Sequence, residues 1–154
     1  MGASGWDYVT AYQGSVEASL EALHGEVFQE LYGDGEEYGS RAELYADEEF
    51  IEEEGTHSIL DVRRVAKKPG AAKRCTLRPL PAARLVHHFG TDRPSVRQYE
   101  DVMARAYEAL ESGRPDGEDA TLLGEQRMSW TGVYVVLYAD GRPTHVGFFG
   151  SSGD

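Results

Sequence analysis

The order of apolar segments predicts an α+β fold: a small antiparallel or mixed sheet of about four or five strands, with helices packed mainly on one face. Three observations carry this reading. Val16, Leu20, Leu23, Val27 and Leu31 recur at steps of three and four and form one apolar helical stripe. Two apolar runs, Val133 to Tyr138 and Thr144 to Phe149, flank Asp140-Gly141, a strong two-residue hairpin signal. Strands and helices follow as β-α-α-β-(β)-α-α-β-β, in groups rather than singly, which disfavours a doubly wound parallel sheet.

The elements follow in chain order. Residues 6–13 are rich in aromatic and β-branched types and read as a strand, with Trp6, Tyr8, Thr10 and Tyr12 on one face. Ser15 caps the helix 16–32, which stops at Gly33. Ser40 and Glu43 form a capping-box pattern for a second helix running to about Glu54. Ser58 to Val65 reads as a strand, 66–75 as a flexible loop, and Thr76 to Leu80 as a short extended piece. A short helix, Ala82 to Phe89, ends at Gly90. Asp92-Arg93-Pro94 opens a longer one, with the stripe Val96, Tyr99, Met103, Ala106 and Leu110. Residues 113–127 read as a mobile loop and 150–154 as a frayed tail. Counting back from Asp140-Gly141, Val136 opposes His145 and Tyr134 opposes Gly147. One hairpin face then carries Val133, Val135, Leu137, Val146 and Phe148. The other carries Tyr134, Val136, Tyr138, His145, Gly147 and Phe149.

With 154 residues, 40% of them hydrophobic, the chain suffices for one domain with one core. Cys75 is the only cysteine, so neither an internal disulfide nor a cysteine-based zinc site is available. The opening residues lack the basic and apolar regions of a signal peptide, and no run reaches the roughly 20 apolar residues of a membrane span. Together these point to a cytoplasmic protein that needs no cofactor. The net charge of −12 is unevenly placed. Residues 1–62 hold 16 acidic side chains and 1 basic, whereas 63–84 hold 8 basic and no acidic ones. Overall acidity argues against general nucleic-acid binding. The basic block either offers a local phosphate-facing patch or neutralises the acidic helices before it.

Gly55-Thr56-His57-Ser58-Ile59-Leu60-Asp61 gathers the residue types of a catalytic triad. On an extended segment, however, His57 and Asp61 lie about 13 Å apart and Ser58 points away. The segment therefore reads as a helix-to-strand junction, with His57 alone available as a general base. His87 and His88 are adjacent, point about 100° apart on a helix and cannot jointly bind one metal well. No catalytic set and no metal site emerges. The sheet face that gathers Tyr8, Tyr12, Tyr134, Tyr138 and His145 offers apolar bodies with polar tips. It is either a binding surface or a second layer of core.

Trp6-Asp7-Tyr8 with Tyr12-Gln13, then Gly55 to Asp61, then Phe89-Gly90-Thr91, resemble segments of a group of small bacterial proteins, many from actinobacteria, to which no activity is assigned. The resemblance implies a bacterial cytoplasmic protein and no particular chemistry. The expectation is a non-enzymatic, regulatory or immunity-type protein that binds a protein or small-molecule partner through the tyrosine-rich face or the acidic helices. The alternatives are a small enzyme using His57 or His145 as acid/base, and nucleic-acid binding through residues 63–84.

Overall fold

The computed structural model describes residues 4–113 and 121–153. Among these residues five strands form one sheet: β1 (Ser4–Ala11), β2 (Arg64–Val65), β3 (Thr76–Pro79), β4 (Thr131–Ala139) and β5 (Arg142–Ser152). Their order is β1-β5-β4-β3-β2. The first three pair antiparallel and the last two add in parallel, so the sheet is mixed and the fold is α+β, as the element order predicts. The helices are α1 (Val16–Tyr32), α2 (Arg41–Ala46), α3 (Glu48–Glu53), α4 (Ala82–Phe89) and α5 (Val96–Glu111).

The helices are divided between both faces of the sheet, where one-sided packing was expected. On the first face Trp6, Tyr134, Val146 and Phe148 form a core with Leu20, Leu23 and Val27 of α1, Leu44 of α2 and Ile51 of α3. On the second, Val133, Val135, Leu137 and Phe149 pack against Phe89 of α4 and Tyr99, Met103 and Ala106 of α5. The central strands are therefore apolar on both sides, which explains the nearly unbroken apolar run of β4.

A β-bulge sets which residues face which helices. The turn at Asp140-Gly141 has φ of 52° and 75°, the left-handed pair that suits a tight hairpin. Tyr138 pairs with Pro143 but Leu137 pairs with His145, which leaves Thr144 as the extra residue. Every later pair is displaced by one: Val136 meets Val146, and Tyr134 meets Phe148 rather than Gly147. A one-residue slip exchanges the faces of a strand. His145, Gly147 and Phe149 thus move to the side of Val133, while Val146 and Phe148 join the tyrosines.

Other local readings change for equally local reasons. The helix expected over 40–54 is broken at Asp47, whose carboxylate caps α3 by accepting the Phe50 N–H. Ser58 to Val65 opens as a 3-10 turn, Ile59–Asp61, because Ser58 caps it at the Leu60 N–H; only Arg64–Val65 is strand. Ser95 is the cap of α5, with Gln98 completing a capping box, so that helix starts later than Asp92. Of the expected frayed tail 150–154, residues 150–152 end β5 and Ser152 and Gly153 are buried; Asp154 lies outside the described residues. Of the expected loop 113–127, residues 114–120 lie outside the described residues, and Leu122–Glu125 form a 3-10 turn. No helix among the described residues is long and apolar enough to cross a membrane.

His24 marks the first core as a pH-sensitive one. It is buried on α1, and its Nε2–H donates to the Ile59 carbonyl at 3.0 Å. Burial pushes its pKa below the ordinary 6.5, against the pull of that hydrogen bond. The unfolded chain therefore takes up this proton at a higher pH than the folded one, and stability falls as pH drops below about 6.5. The slope is at most about 1.4 kcal/mol per pH unit for this group. Urea unfolding of His24→Gln, which keeps an N–H within reach of Ile59, is expected to lose part of the stability change between pH 7 and 5. A slope identical to wild type assigns it elsewhere. His88, also buried and pushed down chiefly by burial, accounts for a further part.

Candidate functional site

The tyrosine-rich face does not form an open surface. Trp6, Tyr8 and Tyr134 do share one side of the sheet, but that side is the first core. Tyr134 is buried and donates its hydroxyl to the Ala66 carbonyl at 2.9 Å. Tyr8 and Tyr12 are half-buried, and the Tyr12 hydroxyl donates to the Gly14 carbonyl. Tyr138 sits under the Arg93 guanidinium, 5.6 Å from its ring centre. His145 lies on the opposite face, its Nδ1 3.0 Å from the Thr144 hydroxyl. The bulge separates it from the tyrosines it was expected to join.

Gly55 to Asp61 is a structural knot. The buried Asp61 carboxylate accepts from the Thr56 N–H, the Thr56 hydroxyl and the His57 N–H, at 2.7, 2.9 and 3.1 Å. The Ser58 hydroxyl is used by Thr56 and by the Leu60 N–H, and the Ser58 carbonyl accepts from Ser152, which itself accepts from the Trp6 indole. His57 is exposed, in a left-handed conformation, with Nδ1 2.9 Å from the Ser4 hydroxyl. All three residues of the triad pattern are thus engaged in holding β1 and β5 to the turn. Neither His57 nor His145 lines the cleft between α3 and Arg63–Arg64 or the one between β1 and α5.

The basic run 63–84 divides between two places. Its later members, Arg78 and Arg84, turn to Glu125. Arg84 and His88 both reach the buried Glu125 carboxylate, at 2.6–2.7 Å, while Arg78 donates to the Glu125 carbonyl. Burial pushes the Glu125 carboxyl up, but His88 and Arg84 outweigh it and hold it below its ordinary value. The earlier members, Arg63, Arg64 and Arg74, line a groove of about 1050 Å³ whose other wall is α3.

That groove is the candidate functional site, and backbone contacts position its charges. The Cys75 carbonyl accepts both the Arg63 and Arg64 N–H groups, while the Cys75 N–H donates to the carbonyl of Trp130, in the turn just before β4. Arg63 then lies over the Tyr45 ring at 4.2 Å, and Arg74 over the Trp130 ring at 4.5 Å. Tyr45 is itself fixed by a 2.8 Å hydrogen bond to the Leu60 carbonyl, and burial pushes its pKa up to about 12. Glu48, Glu52 and Glu53 stand along the opposite wall, with Ile51 and Tyr45 supplying apolar contact. Arg74 crosses to the Glu52 carbonyl. Among the described residues, the ion pairs are Arg41–Glu21 and Arg84–Glu125, and His88 joins Glu125 by a hydrogen bond. The three carboxylates and three guanidinium groups of the groove therefore face one another without side-chain pairing.

Comparison with protein-family models, curated proteins and solved structures finds no match. The functional reading rests on the residues themselves. Sequence patterning already suggested the basic block as the neighbour that answers the acidic helices. Their meeting in one groove follows from the parallel addition of β2 to β3, which periodicity does not encode.

Proposed function

We propose that this protein is a non-enzymatic binding protein whose groove between α3 and Arg63, Arg64 and Arg74 receives a partner's mixed-charge peptide segment. The observation that carries this is the pair of oppositely charged walls left unpaired across the groove. Such walls favour a segment that brings both signs in the right register and repel one that brings a single sign. A nucleic-acid backbone would place phosphates against Glu48, Glu52 and Glu53, so the arginines on their own do not make a polyanion site. The stacked guanidinium groups of Arg63 and Arg74 retain donors at their edges and lose little freedom on binding.

The reading is tested by affinity purification from the producing cells with wild type, Arg63→Glu/Arg64→Glu and a distant control, Arg97→Glu. Each captured partner is then purified and titrated. Wild type and control are expected to hold the same partner, and the double variant at least about tenfold more weakly, or about 1.4 kcal/mol. Equal affinity in all three, or no partner enriched by wild type, overturns it.

A further inference from the structure

On the other side of the sheet, a cleft of about 360 Å³ lies between β1 and α5, lined by Asp7, Val9, Tyr99, Glu100, Met103 and Tyr107. Its chemistry follows from two periodicities. Asp7 and Val9 alternate with Trp6 and Tyr8, so they face α5. Tyr99, Met103 and Tyr107 are four apart and share the face of α5 that meets them. The Tyr107 hydroxyl donates to Asp7 Oδ2 at 2.5 Å. Tyr99 is 1% exposed and its hydroxyl, sealed from solvent, has no hydrogen-bond partner among the described residues. Burial raises its pKa well above the ordinary tyrosine value, and the charges of Asp7 and Tyr107, which line the same cleft, raise it further.

A phenylalanine would fill the same space against Gly147, where even an added Cβ would come within 2.5 Å of the Tyr99 ring. The hydroxyl adds nothing to that packing. Left unpartnered in the interior it costs about 1–3 kcal/mol. The cleft supplies negative charge and acceptors: the Asp7 carboxylate, whose Oδ1 takes no hydrogen bond among the described residues, and Glu100. Val9 and Met103 supply apolar wall.

We propose that this cleft binds an organic cation of the primary-amine type, its ammonium seated between the Asp7 carboxylate and the Tyr99 hydroxyl and its carbon stem on Val9 and Met103. The Tyr99 hydroxyl is sealed in the free protein; the incoming ammonium displaces the Tyr107 hydroxyl from Asp7 Oδ2, and that displacement opens the way to Tyr99. The same chemistry is offered by a free alkylamine and by a lysine side chain of an extended segment lying along β1, the edge strand of the sheet. The site is separate from the charged groove and stands or falls independently of it.

The test is a two-dimensional NMR titration of the labelled protein with hexylammonium, with hexanoate as the anionic control and with the blocked tripeptide acetyl-Val-Lys-Val-amide. Saturable shifts centred on Asp7, Tyr99 and Tyr107 are expected with the amine and absent with hexanoate. Saturation by hexylammonium identifies a free-amine site; saturation by the tripeptide alone identifies a lysine site. Asp7→Asn is expected to abolish the response and Tyr99→Phe, which keeps the packing, to weaken it at least about fivefold, or roughly 1 kcal/mol. Tyr107→Phe, which removes the competitor for Asp7, is expected to bind at least as tightly as wild type. No saturation by either cation, equal response to hexanoate, or unchanged affinity in both Asp7→Asn and Tyr99→Phe overturns the proposal.

Discussion

Asp61→Ala is expected to be the most damaging single substitution outside the apolar core. The buried carboxylate takes three hydrogen bonds from Thr56 and His57 and sets the turn against which β1 and β5 close. Hydrogen bonds to a charged group contribute about 1.5–3 kcal/mol each, but they are not additive and the His57 N–H can turn to water, so the expected loss is about 3 kcal/mol. For a domain of this size that is a fall in Tm of about 10 °C. Thermal unfolding followed by circular dichroism measures it. The loss also has a local signature: amide exchange should accelerate at Leu60, Trp6 and Ser152 before the remainder of the sheet. A variant as stable as wild type would show that the knot is incidental to the fold.

Glu125→Ala is expected to destabilise by a similar amount, about 3 kcal/mol, for a different reason. It strips the shared anion from Arg84 and from a nearly sealed His88, and removing one partner of a buried ion pair costs about 3–5 kcal/mol. The lower end applies because the Arg84 side chain is 31% exposed and can reach water. The pH dependence is equally specific. Glu125 is held below its ordinary 4.5, so its contribution is full above that value and fades as pH falls through the lower folded value. Urea unfolding of Glu125→Gln should therefore differ from wild type most near neutrality, and the two should converge below about pH 4. A difference that stays constant on acidification would mean that charge at Glu125 is not what stabilises the cluster.

These two carboxylates also show where sequence patterning stops. The bounds of α1 and its Ser15 cap were legible to the residue, because both signals are local: a 3.6-residue period and a side chain bonding three positions ahead; of the expected stripe Leu20, Leu23 and Val27 are buried, whereas Leu31 is 48% exposed. The Asp140-Gly141 turn was legible for the same reason. Asp47 could have been read as a cap, since it precedes Glu-Glu-Phe-Ile, but it lay inside an acidic run that reads equally well as one helix. The Thr144 bulge leaves no trace in the apolar pattern, and it alone reversed the expected faces of β5. Asp61 and Glu125 were invisible as buried groups because polarity reads as surface. Glu125 is satisfied by partners 37 and 41 residues away. Tyr99 was correctly placed on its stripe, but nothing in a stripe tells a bonded hydroxyl from an orphaned one. The candidate groove was legible as an acidic run with a basic run set to answer it, but its geometry depends on which strand lies next to β3.

The pairing of β1 with β5 has a consequence for the order of folding. Ser4 lies opposite Ser152 and Ala11 opposite His145, whereas β4 and β5 are joined through two residues. Closing a loop of about 140 residues costs roughly 4 kcal/mol more chain entropy than closing one of two. The hairpin thus zips on microsecond timescales as a local event, and the first strand waits for a template made by the last. Until it docks, the Trp6 indole and one rim of β5 stay wetted, and the first hydrophobic core lacks its outer wall. The slow step of folding is then a search by one terminal segment for one exposed edge, and the chain is open to mispairing with its neighbours for as long as that search lasts.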